Sequence, residues 1–144
     1  MVADTPDAPF VLGRLGDWRP LFGEEFSGRI AYRTAFESPT AGAAELDLGE
    51  VHNCCSVRLN GKDAGMRYAP PHRFRVELAK GTNVLEVTVA NSLANALAPK
   101  AVQEYVRKRF SVNKHYASYA EKFNVLGHES GLYGPVRLTF GKGE

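Results

Sequence analysis

Hydrophobic and polar residues alternate with a period of two along much of this chain. Ile30, Tyr32, Thr34 and Phe36 share one face of a segment whose other face carries Arg33. Leu46 and Leu48 alternate with Glu45 and Asp47, and Val57 and Leu59 with Ser56 and Arg58. Phe74, Val76 and Leu78 alternate with Arg73, Arg75 and Glu77. Leu85, Val87 and Val89 enclose Glu86 and Thr88, and Val136, Leu138 and Phe140 enclose Arg137 and Thr139. Successive side chains of a strand point to opposite faces, so each run predicts a strand with one buried and one wet face. That is the habit of antiparallel sheets.

The punctuation between the runs agrees. Asn60-Gly61-Lys62-Asp63 predicts a tight hairpin turn, because Asn and Gly tolerate positive φ. Lys80-Gly81-Thr82-Asn83 predicts another turn. Pro70-Pro71 predicts an extended loop, since proline cannot donate to a ladder. Short strands joined in this way predict an all-β fold, a β-sandwich or jelly roll.

One stretch breaks the alternation. Between Pro99 and Leu126, Val102, Tyr105, Val106 and Phe110 recur at helical spacing, and Tyr116, Tyr119, Ala120, Phe123 and Leu126 do so again. Pro99 suits a first helical turn and Asn113 an N-cap. The spacing predicts two short amphipathic helices, a helical insertion at about 99–126 before the last strand. No internal repeat, linker or low-complexity tract interrupts the chain, so residues 1–144 are expected to form a single domain.

Composition narrows the class. With 144 residues, 44% hydrophobic and 24% charged, the chain is long enough to bury a sizeable core and has a globular balance. Its net charge is +2, which does not mark a dedicated nucleic-acid binder. That charge is unevenly placed. Residues 99–124 hold six Lys/Arg and two Glu, a balance of +4, which leaves −2 for the rest. No apolar run approaches the roughly 20 residues of a membrane-spanning helix. The N-terminal MVADTPDAPF has neither a basic n-region nor an apolar h-region, so no signal peptide is expected and the compartment stays open. The only cysteines, Cys54 and Cys55, are adjacent. Neighbouring Cα atoms lie about 3.8 Å apart, shorter than the usual disulfide span, so a disulfide framework is excluded. With no nearby Cys or His pair they also make a poor zinc site.

Catalytic signatures are missing. Gly127-His128-Glu129-Ser130-Gly131 places its serine one position too late for a nucleophile elbow. There is no H-E-x-x-H, Walker loop or G-x-G-x-x-G. His52, His72, His115 and His128 lack metal-ligand spacing. Glu45 and Asp47 share a strand face about 6–7 Å apart by strand rise, near the separation of an inverting glycosidase. They read better as the wet side of an amphipathic strand.

The order of several elements is more specific than any one of them. The chain runs GRIAYRTAFE, AELDLGEVHNCCSVRLNGKDAG, PPHRFRVEL, KGTNVLEVTVANSLAN and SGLYGPVRL. This succession resembles the galactose-binding-like jelly-roll domain of glycoside hydrolases. It is similar to the sugar-binding-domain-like sandwich of family 2 β-glycosidases and to the related sandwich of large α-L-rhamnosidases. The resemblance covers about residues 26–140. It departs at His72, where relatives often have an aromatic residue, and at the helical stretch 99–126.

The resemblance implies a non-catalytic β-sandwich accessory module. Its expected partners are a catalytic domain of the parent protein or a carbohydrate, with no nucleic acid and no membrane. The parent would be a glycoside hydrolase, periplasmic or secreted. No cofactor is implied; calcium often props loops in this family, but no dense acidic cluster indicates it. In such families the loop after the V-x-V-x-N strand can approach the catalytic pocket, here Asn91, Ser92 and Asn95. An independent carbohydrate-binding module is the alternative. Sugars stack on aromatic rings and bond to amides and charged groups, which also brings forward Trp18, Tyr116, Tyr119 and Tyr133. The candidate carbohydrate-binding residues are Tyr68, His72, Arg73, Asn91, Asn95, His128 and Glu129. Asn91 and Asn95 equally suit local turn hydrogen bonds. A third reading docks an acidic partner on the basic run Arg107-Lys108-Arg109.

Overall fold

The structure, a computed structural model, describes residues 2–4, 9–11, 14–97, 99–109 and 128–140. The chain divides into two compact units. The larger takes Met1–Asp17, Arg29–Asn91 and Ser130–Glu144, and the smaller takes Trp18–Gly28 and Ser92–Glu129.

The larger unit is all β. Its strands are β1 (Val2–Asp4), β2 (Pro9–Val11), β3 (Gly16–Asp17), β4 (Arg29–Ser38), β5 (Gly42–Asp47) and β6 (Glu50–His52), followed by β7 (Cys54–Leu59), β8 (Lys62–Arg67), β9 (Arg73–Leu78), β10 (Gly81–Ala90), β11 (Gly131–Gly134) and β12 (Arg137–Phe140). They form a six-stranded sheet, β2-β1-β4-β10-β7-β8, and two three-stranded sheets, β3-β11-β6 and β12-β5-β9. Every recorded strand pair is antiparallel. This is the sandwich that the alternation predicts, and its core is the predicted apolar set. Ile30, Tyr32, Val57, Val87 and Val89 of the six-stranded sheet are buried, as are Leu46, Phe74, Val76 and Leu78 of the β12-β5-β9 sheet. The register explains the wet faces as well. Glu86 lies opposite both Arg33 and Arg58, and its carboxylate meets their guanidiniums at 3.5 and 3.9 Å.

Two expectations change in detail. Gly81 and Asn83, expected in a turn, already belong to β10. β12 keeps the predicted phase but is not sealed: Leu138 is half-buried and Phe140 is 45% exposed. The cause is its place at the edge of its sheet.

Both predicted turns are joined by one amide network. Asn60 has a φ of 51° and receives the Val84 N–H on its side-chain oxygen at 2.8 Å. Its own Nδ2 donates to Asn83 Oδ1 at 2.9 Å. Asn83 is fully buried, donates to the carbonyls of Ala79 and Gly81, and accepts the Ala79 N–H. Each group of this buried amide is therefore bonded, as a low-dielectric interior requires.

The smaller unit is helical and irregular. α1 (Arg19–Phe22) has Pro20 in its first turn and ends at Gly23, whose φ of 90° few other residues adopt. Trp18 is buried edge-on to Phe26, and Phe26 packs on Phe22. α2 (Ala94–Leu97) and α3 (Lys100–Arg109) follow. Pro99 stands at the start of α3, its carbonyl accepting the Gln103 N–H at 3.0 Å. Among the α3 residues whose burial is described, Gln103 is the buried one, and its amide donates to the Leu97 carbonyl. Tyr105, expected on the apolar face, is 67% exposed. The predicted second helix, with Asn113, Tyr116, Tyr119 and Phe123, lies outside the described residues. Among the described residues no helix is long and apolar enough to cross a membrane.

Candidate functional site

Within the larger unit, two edge strands approach each other. β8 ends the six-stranded sheet and β9 ends the β12-β5-β9 sheet. β8 carries a bulge. Val57 lies opposite Gly65 and Arg58 opposite Asp63, which leaves Ala64 without a partner in the ladder. Asp63 accepts the Gly65 N–H at 2.7 Å and fixes the bend. Two hollows open along this seam. Lys62, Val76 and Glu77 line one, Arg67, Pro70, Pro71 and Arg73 line the other, and Ala64 and Arg75 line both.

The charged groups of the seam are held differently. Arg67 lies 4.9 Å over the Phe74 ring and donates to the Met66 carbonyl, a cation–π contact that closes the sandwich edge. Arg73 donates to Asp47 at 2.9 Å, with Glu45 at 3.9 Å. Asp47 also accepts the Gly49 N–H at 2.8 Å. That amide bond, followed by Arg73 and Arg137, holds the carboxyl below its ordinary range against a push from burial. Arg75 is exposed and stands opposite Glu45 in the β5–β9 ladder, and its side chain makes no ion pair or hydrogen bond among the described residues. Tyr68, between the lining residues Arg67 and Ala69, is 78% exposed.

The seven sequence candidates do not form one cluster. Tyr68 and Arg73 border the seam. His72 is buried beneath it, with Nδ1 donating to the Gly49 carbonyl at 3.3 Å and Nε2 unpartnered among the described residues. Asn91 belongs to the larger unit and donates to the buried Ser130 hydroxyl at 3.0 Å. Asn95 belongs to the smaller unit and is buried. It clasps the main chain of His128, donating to its carbonyl at 3.1 Å and accepting its N–H at 3.2 Å. The side chains of His128 and Glu129 are exposed in that unit. Arg67 and Arg75 are the additions from the structure. The sequence signal for Arg75 was the polar half of the β9 alternation, and Arg67, on a strand without one, had none.

The elements that carry the resemblance prove to be in contact with one another. The Asn60 of RLNG bonds Asn83 of GTN. In LDLG, Gly49 has a φ of 66°, and a Cβ there would collide with the Gly134 carbonyl of GPV. The Asn91 of VAN bonds Ser130 of SGL. Tyr32 of AYR is buried and accepts the Leu132 N–H at 3.3 Å, while burial pushes its phenol above the ordinary range. These residues fix the sandwich.

Comparison with known proteins agrees with that architecture. No family model matches the chain. A Formosa agariphila protein named "Putative beta-glucuronidase" is 29% identical over 79% of this chain and 12% of its own length. The solved rhamnosidase of Novosphingobium sp. PP1Y superposes with a TM-score of 0.71 and 28% identity, over 95% of this chain and 14% of the rhamnosidase. The GH2 β-galacturonidase of Eisenbergiella tayi shares the fold with a TM-score of 0.54 and 21% identity, over 67% of this chain and 19% of its own. The chain thus spans less than a fifth of the relatives it matches. In fold and in sequence it resembles a β-sandwich portion of large glycoside hydrolases, the GH2 β-glycosidases and a rhamnosidase.

Proposed function

We propose that the chain is a non-catalytic β-sandwich module of a glycoside hydrolase, which packs on the catalytic domain of its parent and contributes to carbohydrate contact. One observation carries this reading: the residues matching the resemblance bond to each other, so they maintain the sandwich and leave no reacting group exposed among them. The small share of the relatives that the chain spans supports it. Leu21, Leu93 and Tyr105 in the smaller unit are large exposed apolar side chains suited to a docking surface.

The purified chain is expected to release no nitrophenol from a panel of nitrophenyl glucuronides, galacturonides and rhamnosides. In sedimentation with the parent catalytic domain it is expected to co-migrate. Turnover above buffer, or independent migration at micromolar concentration, would falsify this reading. Independent carbohydrate binding is the second reading, favoured by an arginine-lined hollow and by the exposed Tyr68, whose chain neighbours Arg67 and Ala69 line that hollow.

A further inference from the structure

We infer, on the accessory-module reading above, that the β8–β9 seam binds a saccharide bearing carboxylate groups, with Arg75 and Arg73 meeting the carboxylate and Tyr68 the apolar face of a sugar ring. The bulge at Ala64 opens the seam, and the small side chain there serves both hollows. β9 pairs with β5 on one side; its other edge presents main-chain N–H and C=O groups, as sheet edges do. Those groups suit sugar hydroxyls.

The charges select the ligand. Arg67 is committed to Phe74 and Met66, and Arg73 is oriented by Asp47. The carboxylates in the seam are largely engaged too: Asp63 holds the Gly65 amide and Glu45 sits beside Arg73. The Arg75 guanidinium, across the ladder from Glu45, forms no ion pair or side-chain hydrogen bond among the described residues, and a guanidinium offers a planar fork that matches a carboxylate in two hydrogen bonds. A bare inorganic anion would use that fork and leave Tyr68 and the Pro70-Pro71 rim untouched. A polyphosphate chain would run against Glu45 and Glu77. A uronate satisfies both the fork and the ring.

Calorimetric titration of the 144-residue chain with trigalacturonate, cellotriose and inorganic phosphate tests this. Trigalacturonate is expected to bind saturably and at least tenfold more tightly than cellotriose or phosphate. Arg75→Ala is expected to weaken it at least tenfold, with an unchanged melting temperature because the side chain is exposed. Ala64→Phe, which fills the seam without touching an arginine, is expected to weaken it similarly. Equal binding of phosphate overturns the saccharide, and equal binding of cellotriose overturns the carboxylate. Wild-type affinity in the Arg75→Ala chain overturns the seam. No trigalacturonate binding removes the site altogether, while co-sedimentation with the catalytic domain tests the packing role separately.

Discussion

The two units hold their own segments together in different ways. In the larger unit Asn83 sits at zero exposure with its amide fully bonded to Asn60, Ala79 and Gly81. Buried polar atoms without partners among the described residues occur in both units, His72 Nε2 in the larger and Trp18 Nε1 and Gln103 Oε1 in the smaller. The larger unit is built on ladders. The smaller is built from two segments far apart in sequence, joined by side-chain bonds to the main chain. Ser27 donates to the Ser92 carbonyl and accepts the Ala96 N–H, and Asn95 clasps His128. A ladder distributes its bonds over many residues, whereas a clasp concentrates them in one. The lesson is that single substitutions should act globally in the first unit and locally in the second.

Asn83→Ala gives the sharpest break. It strands the Asn60 amide, the Ala79 N–H and two carbonyls, and is expected to cost about 3–4 kcal/mol of global stability in urea unfolding. A loss under 1 kcal/mol would show that the network is dispensable. Leu132→Ala, in the core of the same unit, is expected to cost about 3 kcal/mol by cavity formation. Asn95→Ala is expected to cost about 1–2 kcal/mol, visible by hydrogen exchange at Ala94–Leu97. Equal loss of protection in β10 would erase the distinction between the units.

The mildest effect appears only in alkali. Burial, then the neighbouring Cys54, pushes the Cys55 thiol up to about 11 from 9.0. The folded state therefore holds this proton more tightly than the unfolded one. Its contribution is intact below about pH 9 and is lost as pH rises toward 11. Cys55→Ala should flatten that part of the stability profile, and native Cys55 should resist alkylation at neutral pH.

The long strands β4, β5, β7, β9 and β10 were legible because each faces the core on one side and water on the other. β8, reading Lys-Asp-Ala-Gly-Met-Arg, was not, because an edge strand with a bulge has no clean alternation. β3, β6 and β11 are two to four residues long, too short to show a period. The seam was half visible. Tyr68 and Arg73 were singled out, but Arg67 and Arg75 become neighbours only when two edge strands, distant in sheet order, meet in space. His72 and Asn95 pointed inward for a converse reason. A polar side chain that bonds main chain has the same sequence signature as one that bonds a ligand.

The bond between Asn60 and Asn83 has an evolutionary corollary. Once either amide is gone, the other loses the bond that links the two turns. The two positions should therefore behave as one inherited character: a double-mutant cycle should show strong coupling, and descendants that replace one should tend to replace both. Searching for this coupled pair, 23 positions apart, should recognise the sandwich in chains too divergent for overall identity to reveal it.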